Sequence, residues 1–230
     1  MQNTNLTQAN TAKQPRGVFV WDLPTRLFHW LLVIFVVTSF VTGNIGGNAM
    51  QYHEWSGFTI LALLLFRLVW GFVGSRSSRF VTFVQGPANV FRYATALLRR
   101  DSPQYLGHNP LGGWSIIAML VTLLVQAGTG LFANDDIVIE GPLYGWVSKT
   151  TSDWLTRVHK LNQEVILALV SIHVLAVLFY LFYKRENLVK PMITGVKQGS
   201  AAGADPATGS IWSSAVIAAL AALAVYLLVR

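Results

Sequence analysis

The sequence predicts an all-α integral membrane protein with five spanning helices. Hydrophobic residues make up 53% of the 230 residues and charged residues only 12%, against roughly 25% charged residues in an ordinary soluble domain. Several apolar runs approach the roughly 20 residues that a helix needs to cross a hydrocarbon core about 30 Å thick. The net charge of +7 suggests nucleic-acid binding at first. It is better explained by basic loops on one side of a membrane, because Lys and Arg cluster in particular connecting segments.

The spans follow from these apolar runs and their boundary residues. Pro24 is typical of the first turn of a helix and marks the start of the first span. The segment 80–100 mixes apolar residues with arginines and is predicted to be an interfacial amphipathic helix. The five predicted spans lie at about 27–42, 52–73, 114–132, 155–182 and 211–229.

These features divide the chain into four parts. They are a polar cytoplasmic tail at 1–17, a membrane domain at 18–184, a cytoplasmic linker at 185–210 and an accessory helix at 211–230. The tail lacks the apolar core of a secretory signal. The chain has no cysteine, which excludes disulfides, cysteine-ligated iron–sulfur clusters and covalent Cys-x-x-Cys-His haem attachment within it.

Charge in the loops predicts the orientation. The tail and the connections after the second and fourth spans are basic, whereas the connection at 43–51 has no basic residue and the one after the third span is mostly acidic. Positive charge is retained on the cytoplasmic side of bacterial membranes. The N-terminus is therefore predicted to be cytoplasmic, with the first and third spans running outward.

Two histidines in the fourth span are the main functional signal. His159 and His173 are fourteen residues apart, which is within about 40° of four full helical turns and about 21 Å along the axis. Both rings therefore leave one face, at two depths in the membrane. Histidine inside a membrane helix is uncommon and usually functional, so the spacing indicates two stacked sites.

The predicted topology gives each of these histidines a partner at its own depth. His29 starts the first span and matches His173 on the cytoplasmic side, while His53 starts the second span and matches His159 on the outer side. Two imidazoles at one depth are what a bis-histidine haem needs, whereas a closed zinc site needs four ligands. We therefore expect a four-helix transmembrane bundle holding two haem b groups, plus a fifth C-terminal helix.

Three further residues have two interpretations each. Arg67 lies fourteen residues after His53 and either binds an anionic haem propionate or extends toward the cytoplasmic surface. Gly57, one turn past His53, either lets a flat macrocycle approach the backbone or simply favours helix packing. His108 is either an ordinary loop histidine before the third span or a proton or quinone contact near the inner haem.

Four motifs in this chain resemble those of the bacterial cytochrome b561 and nickel–iron hydrogenase cytochrome b family. They are Val-Trp-Asp-Leu-Pro-Thr-Arg-Leu-Phe-His-Trp at 20–30, His-Glu-Trp-Ser-Gly at 53–57, Gly-His-Asn-Pro at 107–110, and the His159/His173 spacing. The resemblance covers about 18–184 and implies the ligands His29, His53, His159 and His173. It also implies a dihaem cytochrome of the inner membrane that carries electrons between quinone, at the cytoplasmic haem, and a periplasmic partner. That partner is expected to be a c-type cytochrome or a dehydrogenase or hydrogenase subunit. The fifth span departs from the four-helix pattern.

Three classes of function stay open at this point. The first is an electron-transfer subunit of an oxidoreductase complex. The second is a stand-alone enzyme, resembling family members that pass electrons from superoxide to quinone. The third is a haem-free membrane scaffold or transporter, in which the histidines are packing residues or proton relays.

Overall fold

The computed structural model describes residues 17–99, 105, 107–137, 139–198 and 209–230. The regular structure within them is helical, apart from one small two-stranded sheet and an isolated β-bridge between Asn134 and Glu140. The helices are α1 (Leu23–Ile45), α2 (Met50–Val73), α3 (Phe80–Phe83), α4 (Pro87–Ala96), α5 (Pro110–Gly130), α6 (Lys149–Phe182), α7 (Val189–Thr194) and α8 (Ile211–Val229), and the strands are β1 (Gly17–Phe19) and β2 (Val196–Gln198).

Five of these helices, α1, α2, α5, α6 and α8, are long and apolar enough to cross a membrane. This agrees with the predicted number of spans. The helices α1, α5 and α6 begin earlier than predicted, because polar side chains cap polar or mixed first turns that an apolar pattern does not reveal. Asp22, Asn109 and Ser148 each accept a hydrogen bond from the backbone three residues later.

Helix α2 is the centre of the bundle and packs against α1, α5 and α8. Its side chains Leu64 and Trp70 are completely or almost completely buried. Helix α8 covers one side of α2 through Ala221 and Val225, both buried. Just before α8, a Cβ added to Gly209 would lie 2.5 Å from Cζ2 of Trp70, so the close approach of the chain to the indole requires glycine there.

The interfacial segment differs from the prediction of one helix at 80–100. The structure contains two short helices, α3 and α4, separated by residues 84–86. Pro87 starts α4, because proline lacks the amide hydrogen that would continue a helix from α3 and suits the first turn of a new one. Within α4, Tyr93 is buried while Phe91 is exposed.

The predicted linker at 185–210 contains ordered structure. Helix α7 lies within it, and β2 pairs antiparallel with β1, which includes the last residue of the predicted tail. Gly195 has a φ of 81°, in the left-handed region that favours glycine, and its carbonyl accepts hydrogen bonds from the amides of Val20 and Trp21. Residues 1–16 and 199–208 lie outside the described part of the chain.

Side chains of α1 strengthen this connection. The Arg26 guanidinium donates to the carbonyl of Ile193 at 2.5 Å, and the Trp30 indole donates to that of Met192 at 3.1 Å. The segment that follows α6 is thereby held against the first two turns of α1. This contact brings the start of α1 close to the end of α6.

A buried polar network closes the same end of the bundle. The Asp22 carboxylate, 3% exposed, accepts hydrogen bonds from the Trp70 indole and the Ser78 hydroxyl at 3.0 and 3.1 Å, besides its capping bond to Thr25. The Ser78 hydroxyl also hydrogen-bonds to the hydroxyls of Thr25 and Ser75 at 2.7 and 2.8 Å. The network joins α1, α2 and the turn at 75–78. Within it, each buried side-chain oxygen of Asp22, Thr25, Ser75 and Ser78 has a hydrogen-bond partner.

We expect Ser78→Ala to lower the free energy of unfolding by about 1–3 kcal/mol, because it leaves the buried partners of this hydroxyl short of a hydrogen bond. The matched control is Ser77→Ala, since Ser77 is only partly buried and its hydroxyl has one long contact, 3.3 Å to Ser75. The measurement is the unfolding midpoint of each variant in detergent. Equal midpoints for the two variants would show that the network does not stabilise the fold.

Candidate cofactor site

The first histidine pair consists of His29 on α1 and His173 on α6. Their ring centres are 6.5 Å apart and the ring planes are inclined by 53°. Both rings are partly buried. The sequence placed these residues at one depth, and the connection between α1 and the segment after α6 explains how two helices distant in sequence bring them together.

The second pair consists of His53 on α2 and His159 on α6. Their ring centres are 6.0 Å apart and the planes are inclined by 77°. The two pairs share α6, so they are separated by fourteen residues of one helix, about 21 Å along its axis. The structure therefore brings the four histidines together in the two predicted pairs.

The His53 ring rests on α1 at Gly43. A Cβ added to Gly43 would lie 2.7 Å from Nδ1 of His53, closer than a side chain tolerates. At this distance from α1 the ring donates from Nδ1 to the carbonyl of Ser39, 2.8 Å away. Because a carbonyl can only accept, Nδ1 of His53 carries the proton. The free electron pair of the ring is then on Nε2.

The His159 ring is held in the same way against α5. A Cβ added to Gly130 would lie 3.0 Å from Cε1 of His159, and Nδ1 donates to the carbonyl of Gln126 at 2.9 Å. In both cases the accepting carbonyl belongs to the residue four positions before the glycine. We call Ser39/Gly43 and Gln126/Gly130 the two glycine seats. Sequence reasoning missed Ser39 and Gln126; a glycine four residues after a small or polar residue in an apolar helix is the only signal they carry.

The second seat is connected to a polar contact near the middle of the bundle. The Asn162 amide, one turn after His159 on α6, donates to the Gln126 side-chain oxygen and to the carbonyl of Thr122, each at 2.8 Å. Gln126 therefore contacts α6 through both its backbone and its side chain. These bonds fix the position of α6 along the axis of α5.

Arg67 is buried on α2 with only 3% of its surface exposed. Its Nη1 has no hydrogen-bond partner among the described residues, and its guanidinium carbon lies 4.9 Å from the ring centre of Phe80. The buried Asp22 carboxylate is near enough to interact electrostatically with Arg67. The guanidinium nitrogen without an acceptor favours a further anionic partner, since a buried donor left unpaired is costly. The exposed alternative, extension of Arg67 to the surface, does not occur in the structure.

His108 precedes α5 and lies between two aromatic side chains. Its ring centre is 4.4 Å from that of Trp21 and 4.6 Å from that of Phe83. Burial, together with the nearby positive charge of Arg67, lowers the pKa of His108 to about 3, so the ring is neutral at physiological pH. Its Nδ1 is buried without a hydrogen-bond partner among the described residues.

A hydroxyl network lies next to His108 at the same end of the bundle. The Asn109 amide donates to the Tyr180 hydroxyl at 2.9 Å, and that hydroxyl is hydrogen-bonded to the hydroxyl of Tyr93. The three residues belong to the cap of α5, to α6 and to α4. They join the interfacial helix to the end of α6 that carries the first pair.

The remaining glycines of interest have a different environment from the seats. A Cβ added to Gly57 or Gly128 would meet no other described atom within 4 Å. Neither glycine is therefore required for helix packing in this structure. At Gly43, in contrast, the space that a side chain would fill is occupied by the His53 ring.

The donor set at each level is a pair of imidazoles. Among the described residues there is no group of three or more His, Asp or Glu side chains placed to bind a metal ion, so the four protein ligands of a closed zinc site are not assembled there. Two imidazoles opposite one another suit a metal whose other positions are filled by a macrocycle.

Comparison with known proteins gives one family. The family model described as prokaryotic cytochrome b561 matches residues 20–195. Relatives named as probable nickel–iron hydrogenase B-type cytochrome subunits include those of Bradyrhizobium diazoefficiens (24% identical, 79% of this chain and 86% of the relative) and Escherichia coli K12 (26% identical, 78% and 90%). No solved structure matches.

The match covers α1 to α7 and ends before α8. It includes the four histidines, both glycine seats, Arg67 and His108. This chain belongs to the prokaryotic cytochrome b561 family, and is thus a multi-pass membrane haem protein of electron transport.

Proposed function

We propose that this chain is a dihaem b-type cytochrome that carries electrons across the bacterial inner membrane, between quinone on the cytoplasmic side and a periplasmic redox partner. The observation that carries the proposal is the arrangement of four histidines as two facing pairs along one face of α6. In this role the chain is the electron-transfer subunit of a larger oxidoreductase.

The separation of the rings supports axial ligation. An imidazole nitrogen lies about 2 Å from a bound metal, which places the centres of two opposed rings roughly 6 Å apart. The observed separations are 6.5 Å for the first pair and 6.0 Å for the second. Ring centres in ordinary aromatic contact span about 4.5–7 Å, so the support comes from the recurrence of an imidazole pair with a separation suited to a metal at both levels.

Burial and charge support a haem with its propionates at the first pair. Arg67 offers a buried guanidinium with an unpaired nitrogen, and carboxylates are its best-matched partners, since the planar guanidinium can donate two parallel hydrogen bonds. The open side of Gly57, four residues after His53, is compatible with a flat macrocycle near the second pair.

Haem iron supplies the one-electron chemistry, and the residues of this chain set its conditions. The His53 and His159 rings are fixed by their seats, so each presents Nε2 in one direction. The pairs His29/His173 and His53/His159 would each hold a haem through both rings, which would leave no iron position for a substrate and would favour electron transfer. His108, neutral and enclosed between Trp21 and Phe83, is suited to a hydrogen bond with a quinone oxygen beside the first pair. Its lowered pKa makes it a poor proton carrier near neutral pH.

The basic loops support the assigned orientation. Arg26, Arg79, Lys190 and Lys197 all belong to the end of the bundle that carries the first pair, while Asp135 and Asp136 lie at the other end. The positive-inside rule puts the first end in the cytoplasm. The second pair then faces the periplasm, where the names of the relatives favour a hydrogenase subunit over a c-type cytochrome as the partner.

Four measurements separate this function from the alternatives. An optical spectrum of purified protein without a reducible b-type haem would exclude both electron-transfer classes and leave the scaffold or transporter. Gentle detergent extraction should recover a redox partner with the chain, and the reduced haems should be reoxidised by added quinone. Rapid reduction by superoxide in the absence of any partner would favour the stand-alone enzyme.

We predict that His159→Ala lowers the haem content from two per chain to one, because the second pair loses a ligand while the first pair keeps both of its own. Haem is quantified as its pyridine complex against protein concentration. The control is Lys160→Ala, which changes the adjacent, exposed residue and should keep both haems. Retention of two haems in His159→Ala would contradict the pairing.

Arg67→Leu is predicted to weaken haem retention at the first pair, because a propionate there loses its cationic partner. In a His159→Ala background only this haem remains, so its rate of loss to an external haem acceptor can be followed directly. Arg67→Lys keeps the positive charge and should lose haem more slowly than Arg67→Leu. Unchanged retention in Arg67→Leu would remove the role in propionate binding.

The orientation can be tested by cysteine labelling, since the natural chain has no cysteine. A single cysteine at Gly145, in the exposed turn before α6, should react with a membrane-impermeant maleimide in spheroplasts. A cysteine at Lys190, on α7, should react only after permeabilisation. The reverse pattern would invert the topology and exchange the sides of the two histidine pairs.

A further inference from the structure

The two histidine pairs differ in the hydrogen bonds made by their rings. Both members of the second pair donate from Nδ1 to a backbone carbonyl, His53 to Ser39 at 2.8 Å and His159 to Gln126 at 2.9 Å. In the first pair, Nδ1 of His29 is buried without a partner among the described residues. The structure gives His173 no hydrogen bond to another described residue either.

This difference changes the ligands electronically. An Nδ1–H bond to a carbonyl raises the basicity of the imidazole and strengthens its donation to a metal bound at Nε2. Stronger donation stabilises the ferric state over the ferrous state, so hydrogen bonding around the ligands is one of the factors that set a haem potential. Two such bonds act on one iron, and none from the described residues acts on the other.

We infer that the glycine seats, Ser39/Gly43 and Gln126/Gly130, make the haem of the second pair the lower-potential haem of the two. The inference rests on the proposed function, since it requires haem at both pairs. A ferrous iron at the second pair would then lose one electron to a ferric iron at the first pair in a favourable step. The direction agrees with an electron supplied by a periplasmic one-electron donor and passed on to quinone.

The glycines are the essential part of each seat. The carbonyls of Ser39 and Gln126 accept bonds from the rings only because Gly43 and Gly130 allow the ring edge to lie against the helix. Added methyl groups would stand 2.7 Å from Nδ1 of His53 and 3.0 Å from Cε1 of His159. These four residues are therefore positioning residues, which act on the iron through the histidines.

The same geometry recurs on two different helices with no sequence repeat between them. In each case the accepting carbonyl belongs to the residue four positions before the glycine. One helical turn places this carbonyl beside the glycine, where the histidine ring occupies the space that a side chain would fill. On α5 the position of Gln126 is further held by Asn162. Because this arrangement is repeated at the second pair and is not found at the first pair among the described residues, it would make the two haem environments different.

The experiment is a redox titration of the purified full-length protein followed by its optical spectrum. His29→Ala and His53→Ala each leave one haem, and the potential that remains assigns the two midpoints to the two pairs. We expect the midpoint of the haem left in His29→Ala, at the second pair, to be the lower one by at least the equivalent of a tenfold change in the equilibrium constant, 59 mV for one electron. Equal potentials, or the reverse order, would overturn the inference.

Gly43→Ala tests the seat directly. The methyl group should push His53 away from the Ser39 carbonyl and raise the midpoint of the second-pair haem, while the first-pair haem in the same protein keeps its midpoint. Gly130→Ala should act in the same direction and less strongly, because its contact is longer. The control is Gly145→Ala, where an added Cβ meets nothing within 4 Å, and it should move neither midpoint.

The outcomes distinguish this inference from the proposed function. If the natural protein binds no haem, the proposed function fails. If it binds two haems but Gly43→Ala and Gly130→Ala both keep the midpoint of the second haem, only the role of the seats is wrong. Should both variants lose the haem of the second pair, the order of the two midpoints in the single-histidine variants still decides the inference.

Discussion

The arrangement depends on one constraint: a single apolar helix, α6, must hold two imidazole rings at two depths on the same face. Polar rings in a hydrocarbon core need partners, and α6 supplies only one member of each pair. Helices α1 and α2 therefore each have to place a histidine opposite α6, near its two ends. The link between α1 and the segment after α6 serves the first of these pairs.

The two ends of the bundle meet the requirement differently. At the end of the second pair, backbone carbonyls of α1 and α5 satisfy the ring nitrogens, and glycine permits the close approach. At the end of the first pair, the Asp22 network, the Tyr93–Tyr180–Asn109 contact and the backbone pairing of β1 with β2 hold the helices in place. Arg67 and His108 keep unpaired nitrogens in that region, which is where an anionic or oxygen-rich ligand would be recognised.

Helix α8 shows how a bundle can be extended without disturbing its site. It lies outside the residues matched by the family and packs against α2, the helix that is already most buried. Its contacts, through Ala221 and Val225, involve small or compact side chains, which favour close packing of membrane helices. None of the four histidines is on this helix, so it adds packed surface to the bundle without contributing to either pair.

The sequence by itself determined the membrane class, the five spans and the two histidine pairs. Each of these depends on local periodicity, on the length of an apolar run or on loop charge. All three can be read from residues that are close together in the sequence. Tertiary structure decided what depends on contacts between distant segments: the division of the interfacial segment at Pro87, the pairing of 17–19 with 196–198, and the seats at Ser39 and Gln126. The two seat residues accept the ring hydrogen bonds through backbone carbonyls, which every residue possesses, so their own side chains are a weak guide to this role. Only the approach of a ring from another helix selects which carbonyl becomes part of the site.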